Sequence, residues 1–170
     1  MQLLPVCLYH SVCVIYSNIQ HITWIVNCYA TGSTSGLGEQ TASELYAMGA
    51  TVIVASRTLS RCQDSVSRIK ADYWRSQGQI FAMKLDTSDF DSVREFVKKF
   101  DNGYKALHFL VNNAGIHYIS MPGNPIFNTS LKQISKQGYD MAFATNYMGH
   151  FLLTSLLMEK MTKTGTCVCL

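Results

Sequence analysis

The chain has 170 residues, of which 48% are hydrophobic and 15% charged, with a formal net charge of +3. That length suits one domain with a real core, and the balance of apolar to charged residues excludes a disordered chain. Basic residues from Arg57 to Lys163 are interleaved with acids, which reads as a solvated surface and gives no reason to expect a nucleic-acid partner.

Met1 to Ile22 contains no Lys, Arg, Asp or Glu, and Leu3 to Tyr16 is largely apolar. A signal peptide would open on a positive n-region, which is absent. A membrane span needs about 20 predominantly apolar residues, and Pro5, His10, Ser11, Asn18, Gln20 and His21 interrupt this one. Residues 1–21 are therefore set apart as an atypical segment, an extra strand or a loose arm, with a membrane-surface contact as the alternative. Residues 22–170 are expected to form the domain. The six cysteines include no C-x-x-C pair and the five histidines show no metal-ligand spacing. No metal site is expected, and the reduced thiols of a cytoplasmic protein are the default reading.

Ile22 to Ala30 predicts a strand, while Leu45, Tyr46 and Met48 mark the apolar side of a helix that Gly49 ends. Between them lies Ala30-Thr31-Gly32-Ser33-Thr34-Ser35-Gly36-Leu37-Gly38. A glycine-rich turn from a strand into a helix N-terminus suits a pyrophosphate: unpaired N–H groups point outward and the helix dipole favours negative charge. Glycines let the backbone approach the phosphates. A P-loop would need Lys and then Ser or Thr after the last glycine, where Glu39-Gln40 stand. The order G-x-x-x-G-x-G also differs from the commoner G-x-G-x-x-G, and alone such a loop is compatible with an ordinary turn.

Thr51 to Ala55 is β-branched and apolar throughout, as a strand buried on both faces would be. Ser56-Arg57 ends it. Asp or Glu here would hold the ribose 2′-hydroxyl of NAD, whereas Arg suits the 2′-phosphate of NADP. NADP is therefore favoured over NAD, with a solvated loop arginine as the alternative. Thr58 or Ser60 can cap the next helix, which runs towards Trp74 and stops by Gly78. Gln79 to Leu85 is a third strand ending in Asp86-Thr87, where Asp86 either accepts from an adenine amino group or merely caps. Ser88-x-x-Asp91 reads as a capping box with Asp for Glu, opening a helix with Val93, Phe96, Val97 and Phe100 on one face. Ala106 to Val111 is a fourth strand, closed by Asn112-Asn113-Ala114-Gly115. A long polar loop, Ile116 to Gln137, leads to a helix from Tyr139 to Met161 that contains Asn146 and stops at Gly165.

This alternation predicts an α/β fold with a doubly wound parallel sheet, Rossmann-like, truncated after the fourth or early fifth strand. The fourth strand would then lie near an edge. Ligands bind beyond the carboxyl ends of such strands, where the glycine loop, Arg57, Asp86 and the residues after Val111 converge.

Thr31-Gly32-x-x-x-Gly36-x-Gly38, Ser56-Arg57, Leu85-Asp86, Asn112-Asn113-Ala114-Gly115 and Asn146-Tyr147-Met148-Gly149-His150-Phe151 occur in family order. The chain resembles the short-chain dehydrogenase/reductase family, and most its retinol-dehydrogenase-like branch. The resemblance implies an oxidoreductase moving hydride between a nicotinamide cofactor and a small-molecule alcohol or carbonyl, often a lipophilic one. It implies cofactor contacts from Gly32, Ser33, Ser35, Gly36, Leu37, Gly38, Arg57, Asp86, Thr87, Asn113, Ala114 and Gly115. It also implies a catalytic role for Asn146, whose family counterpart distorts its helix and supports a water in the proton relay.

The family further uses a Ser and a Tyr-x-x-x-Lys pair, the Lys lowering the Tyr pKa. None of the nine tyrosines has Lys four residues on, and the chain reaches Leu170 ahead of where that Ser and Tyr fall. The expectation is a cofactor-binding half without efficient hydride transfer of its own. One alternative is a catalytically silent nucleotide-binding fragment of the same fold. Another is an S-adenosylmethionine-dependent methyltransferase, which would normally carry an acid where Arg57 sits. A third is a membrane-associated interaction protein using residues 1–21. Marginal stability and self-association through the face around Phe143, Tyr147 and Phe151 are also expected.

Overall fold

The computed structural model describes residues 27–116, 133–165 and 168–169. In chain order the elements are β1 (Asn27–Thr31), α1 (Gly36–Ala47), β2 (Thr51–Ser56), α2 (Leu59–Asp72), β3 (Gln79–Lys84), α3 (Phe90–Gly103) and β4 (Phe109–Val111). They are followed by the single turn α4 (Met141–Phe143), a π-helical turn (Ala144–Met148), α5 (Gly149–Thr164) and β5 (Val168–Cys169). The strands form one parallel sheet in the order β3-β2-β1-β4-β5.

The chain builds outward from β1 through β2 to β3, then returns past β1 to place β4. Strand order reverses there, which opens a crevice beyond the carboxyl ends of β1 and β4. The register aligns those ends: Ala30 stands opposite both Val54 and Val111, and Thr31 opposite Ala55.

The period-two geometry of β2 divides the core. Val52 and Val54 pack with Leu45 of α1, Ile69 of α2 and Ile80 of β3. Ile53 and Ala55 face the other way, with Phe96 and Phe100 of α3 and Leu153 and Leu157 of α5. A strand covered by helices on both faces has no polar side, which is why Thr51 to Ala55 reads as unbroken β-branched and apolar sequence. On α3 the expected stripe of Val93, Phe96, Val97 and Phe100 is the buried one.

Several boundaries differ from the sequence reading. The cap of α3 is Asp89, whose carboxylate accepts the Asp91 N–H at 3.0 Å; Ser88 is engaged by Asp86 instead. The fourth strand is only three residues long, because the Leu107 N–H donates to the Thr164 hydroxyl at 3.1 Å rather than to a ladder. It lies near an edge, as expected, but its outer side is paired: β5 is the edge strand, with Phe109 opposite Val168 and Leu110 opposite Cys169. The long helix opens at Met141, not Tyr139, since Asp140 caps it by accepting the Phe143 N–H at 3.0 Å. Residues 1–26, including the atypical N-terminal segment, and residues 117–132, most of the long loop expected from sequence, lie outside the described residues. Among the described residues no helix is long and apolar enough to cross a membrane.

Candidate functional site

A cleft of about 700 Å³ lies beyond the carboxyl ends of β1, β2 and β4. The glycine loop, Arg57, the turn 86–88 and residues 113–116 wall it. Gly32 and Gly36 have φ of +65° and +58°, a region costly for any side chain. At Gly32 there is a second reason, because a Cβ would lie 2.8 Å from Ala114 Cα. A Cβ at Gly38 would collide with the Asn113 amide and sit 2.8 Å from Gly32 O. The loop and the end of β4 therefore pack backbone against backbone. Gly36 is different: nothing lies within 4 Å of where its Cβ would be. There α1 begins, and the Ser35 hydroxyl makes no capping bond, leaving the first-turn N–H groups to an anion.

Ser33 and Gly38 are buried behind the loop. The Ser33 hydroxyl accepts the Ala55 N–H at 3.1 Å, and the Gly32 N–H donates to Ala55 O at 2.9 Å. Ser33 thus ties the loop to β2. Arg57 projects from the end of β2 as an exposed residue on the cleft wall, held there as the Ser56 hydroxyl bonds Thr58 O at 3.2 Å and contacts Cys62 Sγ at 3.1 Å. Burial pushes the Cys62 thiol above its usual pKa, so it packs as an unreactive group. Among the described residues Arg57 forms no ion pair. Asp86 Oδ1 accepts both the N–H and the hydroxyl of Ser88, at 2.9 and 2.6 Å. Its Oδ2 has no partner among the described residues. Thr87 is buried, lines the cleft, and abuts Gly149 through its backbone.

Asn146 sits in the middle of the π turn, a helix irregularity common at functional sites. Its side chain pairs with one backbone unit. The Ile116 N–H donates to Oδ1 and Nδ2 donates to Ile116 O, each at 2.8 Å. The segment following β4 is thereby fastened to the long helix. His150 is buried, with Nδ1 3.2 Å from Asn146 O. A carbonyl oxygen only accepts, so Nδ1–H is the donor, and burial lowers the pKa of the ring. Tyr147 is 59% exposed and stacks between Phe143 and Phe151, with centroids 5.3 and 6.3 Å apart. Neither Tyr147 nor His150 lines the cleft.

Thr34, Ser88, Gln133, Met141 and Thr145 also line it; none is a site residue on sequence grounds, where Ser88 reads only as a helix cap. Ser88 carries a local signal, an Asx-turn pattern two residues after Asp86. Asp140 marks the helix start that sets Met141 and Thr145 one turn apart on a shared face, where the Thr145 hydroxyl donates to Met141 O at 2.7 Å. Gln133 has no such signal, because the bridge between Ile134 and Asp140 brings it there. Among the described residues no group of three or more His, Cys, Asp or Glu is placed to hold a metal ion.

The family model for short chain dehydrogenase matches residues 27–169. The chain belongs to the short-chain dehydrogenase family. It is 37% identical over 135 residues to Retinol dehydrogenase 12 of Mus musculus, covering 79% of this chain and 39% of that protein. It is 38% identical over 142 residues to Short-chain dehydrogenase TIC 32 A, chloroplastic, of Brassica napus, covering 84% and 39%. The crystal structure of a metagenomic short-chain oxidoreductase in complex with NADP matches with a TM-score of 0.69 over 85% of this chain and 60% of that one. At 22% identity this is a likeness of fold. This short-chain dehydrogenase chain thus spans 39% of the length of the two curated relatives. The methyltransferase alternative falls with the family match.

Proposed function

We propose that this chain binds NADP(H) as the cofactor-binding half of an oxidoreductase acting on an alcohol or carbonyl, with lipophilic, retinoid-like molecules as the substrate class. Arg57 carries the cofactor reading. It stands at the end of β2, on the cleft wall, where an NAD site would place an acid. The similarity to Retinol dehydrogenase 12 supports the substrate class.

The residues present fit a dinucleotide. The open space at Gly36 and the α1 N-terminus without a Ser35 cap suit the pyrophosphate. Arg57 suits the 2′-phosphate, and Asp86 Oδ2 can accept from the adenine amino group. Asn113, Ala114 and Gly115 line the cleft beyond β4 and would hold the nicotinamide end of the cofactor. Bound there, the cofactor would supply or accept hydride. Asn146 keeps this wall in place through the Ile116 backbone.

A charge-assisted contact to phosphate is worth about 1.5–3 kcal/mol, a factor of ten or more in affinity. Arg57→Asp should therefore weaken NADPH by that factor while sparing or improving NADH, read by fluorescence titration. An unchanged NADPH-to-NADH ratio would reduce Arg57 to a surface residue.

A second reading, binding without efficient turnover by residues 1–170 alone, is favoured by the position of Tyr147. It is exposed and does not line the cleft, and Phe151, not Lys, stands four residues on. NADPH consumption against retinoid, steroid and short-chain carbonyls should be negligible. Turnover that disappears in Tyr147→Phe or His150→Ala would overturn this reading.

A further inference from the structure

The glycine loop is held from outside the cleft by α2. Ser65 is fully buried, and its one hydroxyl proton is shared between two acceptors, Ser33 O at 3.2 Å and Glu39 Oε1 at 3.0 Å. Arg68, one turn further on the same face, brings Nη2 and Nε to 2.6 and 3.1 Å from that carboxylate oxygen, and Nη2 to 3.5 Å from Thr34 O. Neither residue lines the cleft.

A trans peptide sets its C=O and the following N–H antiparallel, and the described backbone has no cis bond. Drawing the Ser33 carbonyl onto α2 turns the Thr34 N–H away from α2. The weaker pull on the Thr34 carbonyl turns the Ser35 N–H the same way. Both Thr34 and Ser35 are on the cleft wall, and successive N–H groups on one side of a loop make an anion-binding concavity. Charge enters separately. Glu39 lies in the first turn of α1, where it favours the helix through the dipole but opposes an anionic ligand at the same end. Arg68 neutralises it.

We propose that Ser65 and Arg68 are positioning residues of the phosphate site. Ser65 orients the loop peptides, and Arg68 cancels the field of Glu39. Neither touches the ligand. The proposal rests on the cofactor reading above only for the identity of that ligand. The Glu39–Arg68 pair is partly exposed, with side chains 22% and 53% accessible. Such pairs contribute little to folding stability, so an effect on binding is separable from unfolding.

The full 170-residue chain is titrated with NADPH by fluorescence and with inorganic pyrophosphate by calorimetry. The variants are Ser65→Ala, Arg68→Met, Arg68→Lys and the double variant Arg68→Met/Glu39→Gln. Ser65→Ala and Arg68→Met should each weaken both ligands roughly three- to tenfold. Arg68→Lys, which keeps the charge, should retain most of the affinity. The double variant should regain what Arg68→Met loses, and the Arg68→Met deficit should shrink as salt is raised. A merely structural role does not predict recovery by a second substitution. Wild-type affinity in either single variant removes that residue from the proposal, and a double variant as weak as Arg68→Met overturns the charge argument. Wild-type protein that binds pyrophosphate but neither NADPH nor NADH would sink the cofactor reading, with the pyrophosphate arm then deciding on Ser65 and Arg68. Binding of neither ligand would overturn both.

Discussion

Gly149→Ala tests the packing that closes the cleft. Gly149 opens α5 directly after the π turn and is buried. A Cβ there would lie 2.7 Å from the Thr87 carbonyl carbon and 3.0 Å from Thr87 Cα, and closer still to the carbonyl oxygen. Ordinary contact for such atoms is 3.4–4 Å, so relieving the carbonyl oxygen requires α5 and the turn 86–88 to separate by about 1.5 Å, and the obstructing group is backbone that has no rotamer to change. An overlap this deep against backbone stands at the upper end of the overpacking range, about 2–3 kcal/mol. Replacing a helical Gly by Ala returns up to about 1 kcal/mol. The packing cost wins, leaving a net loss of about 1–2 kcal/mol, or about 2–8 °C in thermal midpoint for a chain of this size. Gly103→Ala is the control: it ends α3, and nothing lies within 4 Å of its Cβ position. It should be neutral or slightly stabilising. Circular-dichroism melts of both variants, with NADPH titrations alongside, make the comparison. NADPH affinity should fall with Gly149→Ala because Thr87 is part of the cleft wall. A Gly149→Ala midpoint at or above wild type would refute the close approach of α5 to the turn.

Burial holds the pKa of His150 below its ordinary value of 6.5, so the unfolded chain takes up this proton at a higher pH than the folded one. The contribution is intact above pH 6.5 and is lost as pH falls below it towards the folded pKa. His108 is shifted the same way by burial, so His150→Gln should reduce that acid-side slope in urea-denaturation series rather than abolish it; an identical slope would show that His150 is not a titrating group. We also propose that the stacked stripe of Phe143, Tyr147 and Phe151, 52%, 59% and 65% exposed, drives self-association of this chain. Sedimentation velocity should show association that Tyr147→Glu weakens, and wild-type protein monomeric at high micromolar concentration would contradict the idea.

Features governed by neighbours within a few residues were legible in the amino-acid sequence. The β-branched run of β2 announced a strand buried on both faces, and the stripe on α3 its inward side. Gly49 and Gly165, at φ of +91° and +87°, end their helices as expected of left-handed caps. The glycine loop and Arg57 at the end of β2 were legible for the same reason, since turn chemistry and periodicity are short-range. The choice between Ser88 and Asp89 as the cap of α3 was not. Both residue types can cap, and the outcome follows from Asp86 engaging Ser88. Tertiary structure alone decided that β4 has a neighbour on each side, that Gly149 meets Thr87, and that the amide of Asn146 is spent on Ile116, thirty residues earlier. It also decided the surroundings of Ser65 and Arg68. In sequence they read as ordinary polar positions on a solvated helix. Their reach to Ser33, Thr34 and Glu39 exists only because β2 and its flanking helices bring α2 against the start of α1, and no local pattern encodes a contact between residues about thirty positions apart.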